Sequence, residues 1–212
     1  MELRDDRPLR QALRTSEGTA GRAVFVLLRR ELGLRATLRV LAAMGRRRLR
    51  GEPFAGLGPA RDRRDELTRR QLGPAVLLLR ALRAEVPPGR AEAIAHAAIR
   101  EGGLAFLGAL LGDLDPRRIE DLSREVSTRL SRFFNAEGGV AFDAAAGTID
   151  YTMTRCRFVD LAPRVGASAL LPAFCAVDEA FFARPTVPLR LSREHTLARG
   201  DAACDFRFTW TP

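Results

Sequence analysis

Three cysteines carry the reactive chemistry of this chain, and all fall in its last third, spaced Cys156-x18-Cys175-x28-Cys204. Each has a charged or aromatic neighbour: Cys156-Arg157-Phe158, Cys175-Ala176-Val177-Asp178 and Cys204-Asp205-Phe206-Arg207-Phe208. Three chemistries are open to such a set. Converging thiolates could bind a metal with an open position, with Cys156, Cys175 and Cys204 as the ligands, although the Cys-x-x-Cys knuckle of structural zinc sites is missing. A thiolate beside Arg157 or Arg207 would have a lowered pKa and could attack an electrophilic carbon, with Asp178 or Asp205 moving protons or orienting water. The third reading is packing, because unpaired cysteine is among the most buried residue types. No cofactor is required by the sequence.

Two histidines accompany the thiols. His96 sits in an alanine-rich segment and reads as packing. His195 precedes Gly200-Asp201, and pairing across a turn there would bring it close to Asp205 or Cys204; a register slip of one residue would reverse its face.

The elements that must position these groups follow from periodicity. Over residues 19–50, Val24, Leu27, Leu34, Leu38 and Leu41 recur at helical spacing and predict one apolar face, interrupted by Glu31. Residues 51–59 read as a Gly/Pro loop. Helices are predicted over 61–85, ending at Val86-Pro87-Pro88-Gly89, over 90–111, and over 116–135 with Asp115 as cap. After Glu137-Gly138-Gly139 the pattern changes. Residues 140–142 and 148–153 read as strands, 158–165 as a helical turn, and 167–183 as a helix bearing Cys175, Asp178 and Phe182. The final hairpin is predicted from strands over 187–198 and 204–210, turning at Gly200-Asp201. On the second strand Cys204, Phe206, Phe208 and Trp210 share one face, and Asp205, Arg207 and Thr209 the other.

The fold class is therefore α+β: a helical N-terminal part, then a small antiparallel sheet with packed helices. The expected organisation is a polar lead-in over 1–18, a helical region over 19–136 and a cysteine-containing α+β region over 137–212. The last two could form one continuous domain.

Charge is unevenly placed. All 35 basic residues are Arg. Residues 1–135 hold 27 Arg against 17 acids, and residues 136–212 hold 8 against 9. A basic half can bind nucleic acid or an anionic surface. The runs at 46–48 and 61–65 lack the aromatic interleaving of a single-strand binder, so nucleic acid is not the expected partner. The longest apolar stretch, 102–112, is too short to span a bilayer. Met1-Glu2-Leu3-Arg4-Asp5-Asp6 has no apolar core of a signal peptide, and three cysteines leave at least one unpaired. Free thiols in a reducing cytoplasm are expected, and a homo-oligomer is compatible with the sequence.

Taken together, Cys156-Arg157-Phe158, Cys175-x-x-Asp178 and Leu191-x-Arg193-x-x-Thr196-Leu197-Ala198-x-Gly200-Asp201-x-x-Cys204-Asp205-Phe206-Arg207-Phe208 resemble the C-terminal signature of the L-2-amino-thiazoline-4-carboxylic acid hydrolase family, over about residues 150–210. The chain departs from that pattern at Ala203, where a His is frequent, and at Glu194-His195. The resemblance implies hydrolysis of a non-peptide C–N bond system, the opening of a cyclic amidine ring in a small carboxylate substrate. Such a reaction needs a nucleophile, a proton donor for the departing sulfur and a cation for the carboxylate. Cys156, Cys175, Asp178, Cys204 and Asp205 are the candidates for the chemistry, and Arg193, His195 and Arg207 for substrate binding. The same ending also resembles the 4-vinyl-reductase-like domain, which implies the alternative of a non-catalytic module binding a small molecule or a metal.

Overall fold

The computed structural model describes residues 7–111, 136–143 and 145–210. The predicted helix over 116–135 lies outside the described residues. Three long helices come first: α1 (Arg7–Leu49), α2 (Arg63–Leu82) and α3 (Pro88–Leu111). A second half follows, with strands β1 (Ala136–Asp143) and β2 (Thr148–Cys156), a short helix α4 (Arg157–Leu161), helix α5 (Leu171–Phe182), and strands β3 (Leu189–Ser192) and β4 (Cys204–Trp210). The sheet is antiparallel with order β1-β2-β4-β3. The α+β architecture is the one the sequence predicts.

Helix α1 differs from its prediction in two places. It starts at Arg7, and Leu13 and Ser16 are buried, so residues 7–18 are helical where a polar lead-in is expected. Its middle is broken at Gly33, whose φ of 75° and ψ of 168° are non-helical and suit a residue without a Cβ. The break rephases the helix. Leu27 and Leu28 are buried before it, whereas Leu34, Leu38 and Leu41, predicted to share the core stripe, keep 50%, 53% and 37% of their surface. The core face after the break is instead made by Thr37 and Val40, with Thr37 Oγ1 donating to the Gly33 carbonyl at 2.8 Å. Glu31, the interruption in the predicted stripe, pairs with Arg30.

Helix α2 is started by Asp62, whose carboxylate accepts the Asp65 amide at 2.8 Å. Helix α3 starts at Pro88, where a missing N–H costs nothing. Its small residues Ala91, Ala95 and Ala98 are buried and allow close packing on α1. On its other side α3 meets α5 at Gly103. A Cβ there would lie 2.6 Å from Val177 Cγ1, so this contact admits only glycine without a shift. That close approach fixes the height of the helix that bears Cys175 and Asp178. His96 adds a second tie, with Nε2 2.8 Å from the Ala169 carbonyl oxygen in the turn leading into α5.

One apolar core joins both halves, running from Leu28, Leu72, Leu79 and Leu82 on the helices to Ile149, Tyr151, Met153, Phe206 and Phe208 on the sheet. On β4 the strand period holds: Cys204, Phe206 and Phe208 are buried, and Arg207 and Thr209 are exposed. The last hairpin is less regular than predicted. Only Leu189–Ser192 pair with β4, with Leu191 opposite Phe208 and Ser192 opposite Arg207. Residues 193–203 form a connection containing a 3-10 turn, Leu197–Arg199, that ends at Gly200.

Candidate functional site

Alternation along β4, a register shift in β2 that leaves Thr154 unpaired between Met153 and Arg155, and the α3–α5 contact together place five of the candidate residues on the inner side of the sheet. Cys156 ends β2, Cys204 opens β4 two positions before Phe206, and Cys175 and Asp178 lie one turn apart on α5. Arg193 follows β3 and closes over them. All three cysteines are free thiols, with Cys204 buried and the other two half-buried. Each thiol lies within electrostatic reach of the other two and of Asp178.

Arg193 organises this cluster. Its side chain is only 2% exposed. Nη1 lies 3.5 Å from Asp178 Oδ2, and Nη2 donates to Glu179 Oε1 at 2.7 Å and to the Cys175 carbonyl at 3.0 Å. The guanidinium lies over the Phe206 ring, 4.9 Å from its centre, an arrangement that favours a cation. Its Nε is buried without a hydrogen-bond partner. A buried guanidinium thus uses one carbonyl, two carboxylates and a ring, and leaves its Nε–H without an acceptor.

Electrostatics separate the acid from the thiols. Burial pushes the Asp178 carboxyl up to about 6, against the opposing pull of Arg193. Burial likewise pushes up the Cys175 thiol, to about 12, again opposed by Arg193. Cys156 is raised by burial although the first-turn amides of α4 oppose it, and Cys204 is raised by burial although the Leu197 amide donates to its Sγ at 3.2 Å. All three thiols are therefore protonated at neutral pH in the free protein, and the one group of this cluster poised to change charge near neutrality is Asp178.

The expected lowering of a thiol pKa by Arg157 or Arg207 is not what the structure contains. Arg157 is buried but turns to Asp62 at 3.0 Å and Glu137 at 2.8 Å, tying the start of α2 to β1. Arg207 stands on the outer face of the sheet, where it pairs with Asp150 directly across β2 at 2.7 and 3.1 Å. Alternation along β4 puts every second side chain out, and Arg207 is one of these.

Asp205 and His195 also lie away from the thiols. Asp205 Oδ1 accepts the amides of Glu194 at 3.1 Å and His195 at 2.6 Å, and Oδ2 sits 3.0 Å from His195 Nδ1. These bonds hold the Asp205 carboxyl down at about 2 and push His195 up. Asp201 supports the same connection by accepting the Thr196 amide at 2.6 Å. Side-chain carboxylates here take the place of the strand ladder that the predicted hairpin would have supplied. Both residues shape the connection that carries Arg193, and neither faces Cys204.

Sequence reasoning missed Glu179, the second carboxylate on Arg193, and Tyr151, whose buried ring lies 5.8 Å from Phe206 and whose hydroxyl pKa is raised by burial. The acidic pair Asp178-Glu179 was a legible signal for the first. Among the described residues, no three His, Cys, Asp or Glu side chains are grouped so as to hold a metal ion. Among the described residues, no helix is long and apolar enough to cross a membrane.

The thiol cluster, α5 and the last hairpin as far as Phe208 fall inside residues 66–208, which match the family model described as L-2-amino-thiazoline-4-carboxylic acid hydrolase. That match also takes in most of α2 and all of α3, helices in which the sequence offers no recognisable motif. No curated protein matches the chain. With the match extending over two thirds of its length, the chain belongs to the L-2-amino-thiazoline-4-carboxylic acid hydrolase family.

Proposed function

We propose that this protein is a hydrolase that adds water to the amidine carbon of a cyclic, thiazoline-type carboxylate and expels the ring sulfur. One observation carries the reading: Asp178, with a carboxyl poised near 6, is held by the buried Arg193 on the thiol side of the sheet, inside the segment that defines the family. A carboxyl in that range both takes and returns a proton at neutral pH.

In this scheme water, assisted by Asp178, forms a bond to the carbon between the ring nitrogen and the ring sulfur. The carbon–sulfur bond then breaks, the added oxygen becomes a carbonyl, and the two protons of the water end on the ring nitrogen and the departing sulfur. The product is an N-carbamoyl amino acid with a free thiol. Asp178 carries the proton from water to sulfur. Arg193, through its unpartnered Nε, supplies the cation for the substrate carboxylate, since Arg207 is committed to Asp150 on the opposite face. Cys156, Cys175 and Cys204, protonated and either buried or half-buried, form a polarisable wall around the ring sulfur and act as neutral donors rather than as the resting nucleophile. Free thiols suit a reducing compartment such as the cytoplasm.

The test is incubation of the purified protein with 2-amino-thiazoline-4-carboxylate in ¹⁸O-labelled water, with mass detection of N-carbamoylcysteine. Wild type is expected to incorporate one labelled oxygen, and Asp178→Asn to lose roughly 10²–10⁴ in kcat. Absence of product at high enzyme concentration defeats the hydrolase reading. Saturable binding of the same compound without turnover would assign the chain to the non-catalytic binding module instead.

A further inference from the structure

The second part of α1, after the Gly33 break, carries apolar residues on two separate faces. Thr37 and Val40 face the core, and Ala43 and Met44 pack against its edge. On the other side Leu34, Leu38, Leu41 and Leu49 stand at i, i+4, i+7 and i+15, which is one line along a helix, and they keep 50%, 53%, 37% and 89% of their surface. Isolated exposed leucines need no explanation; four aligned on a face turned from the core do.

The charges around this ridge are of one sign. Between Glu31 and Glu52 the chain has six Arg and no acid. Arg39 and Arg47 are already paired, with Glu85 and Glu52. Arg35, Arg46, Arg48 and Arg50 are exposed, and none has an acidic partner among the described residues. At 100° per residue, Arg48 flanks the leucine line on one side and Arg35 and Arg46 on the other. A convex apolar ridge bordered by unpaired arginines matches a helix lying in the headgroup layer of an anionic bilayer, with leucines among the acyl chains and guanidinium groups at the phosphates. A folded protein partner would have to offer a groove with an acidic rim. A bilayer closes around a convex helix without one.

We infer that residues 34–50 form a peripheral membrane-docking surface specific for anionic lipid. The helix lies on the membrane and does not cross it, in keeping with its polar composition. The site proposed for hydrolysis is built from α5 and the sheet, so docking and turnover are separable properties.

The experiment is flotation of the full chain with phosphatidylcholine vesicles and with vesicles of phosphatidylcholine and phosphatidylglycerol in equal parts. The expected result is co-flotation with the anionic vesicles only, weakening as salt is raised. The pairs Leu38→Glu with Leu41→Glu and Arg46→Glu with Arg48→Glu should each reduce partitioning by roughly tenfold or more, with melting temperatures unchanged because all four side chains are exposed. Wild type left with the soluble fraction, equal binding to neutral vesicles, or variants that bind as wild type would each overturn the proposal. A concentration-dependent dimer broken by Leu38→Glu with Leu41→Glu, in a protein that does not float, would overturn it in favour of a second copy of the chain.

Discussion

Replacing Asp178 by Asn should remove a specific pH dependence from the stability of this protein. In the folded chain the carboxyl is raised from an ordinary value of 3.8 to about 6, chiefly by burial. The native state therefore binds its proton more tightly than the unfolded state does. For an acid shifted in this direction, stability is greatest below the unfolded pKa, falls as pH rises from about 4 to about 6, and is level above that. At about 1.4 kcal/mol per tenfold change in proton affinity, the fall is ~3 kcal/mol. The side chain keeps 21% of its surface, so solvent screens only part of this. An amide at this position cannot titrate, and the difference in unfolding free energy between wild type and Asp178→Asn should therefore decline by ~2 kcal/mol of that total between pH 4 and pH 7. Groups such as His195 and Asp205, on the far side of the sheet, cancel in that difference. Urea denaturation at intervals across this range gives the curve, and a carboxyl ¹³C titration gives the midpoint directly. A difference that is flat, or that grows with pH, would refute the burial argument and remove the proton carrier from the proposed reaction.

Three further outcomes follow from the same geometry. Gly103→Ala should cost ~1–3 kcal/mol by driving a methyl into Val177, and Val177→Ala in that background should recover part of it, so a double-mutant cycle that came out additive would contradict the contact. Asp205→Ala should free the amides of Glu194 and His195 and raise their hydrogen exchange by about tenfold or more, while exchange in the middle of α3 stays unchanged. In the native protein the three thiols should react slowly with Ellman's reagent at pH 8, Cys175 slowest, and rapidly once unfolded; fast native labelling of Cys175 would show that burial does not hold its pKa near 12.

Much of the fold was legible because it rests on periodicities that are local. The helices over 61–85 and 90–111 with the proline pair at 87–88 between them, and the two-residue repeat of Cys204, Phe206 and Phe208, each report a backbone state within a few residues of themselves. The candidate site was legible only in part. That Cys204 faces inward follows from alternation along β4, and the same rule turns Arg207 outward and so removes it from the site. Residues 193–198 read as the end of a strand running into the Gly200-Asp201 turn; in the structure carboxylates of Asp201 and Asp205 capture the amides that a ladder would have used.

The sequence by itself determined the inventory: which residues can titrate, most of the helical and extended stretches, and which side of β4 each residue takes. These depend on neighbours along the chain. Only the tertiary structure decided that Arg193 holds Asp178 and Glu179 while its Nε stays unpartnered, that burial leaves three thiols protonated and one carboxyl poised near neutrality, and that leucines 34, 38 and 41 face outward. Each of those depends on burial and on partners far apart in sequence, and in the case of α1 on the backbone conformation of a single residue, Gly33, that turns the helix after it. Burial sets the free energy of a charge, and no local pattern of residues specifies how much of it a side chain will receive.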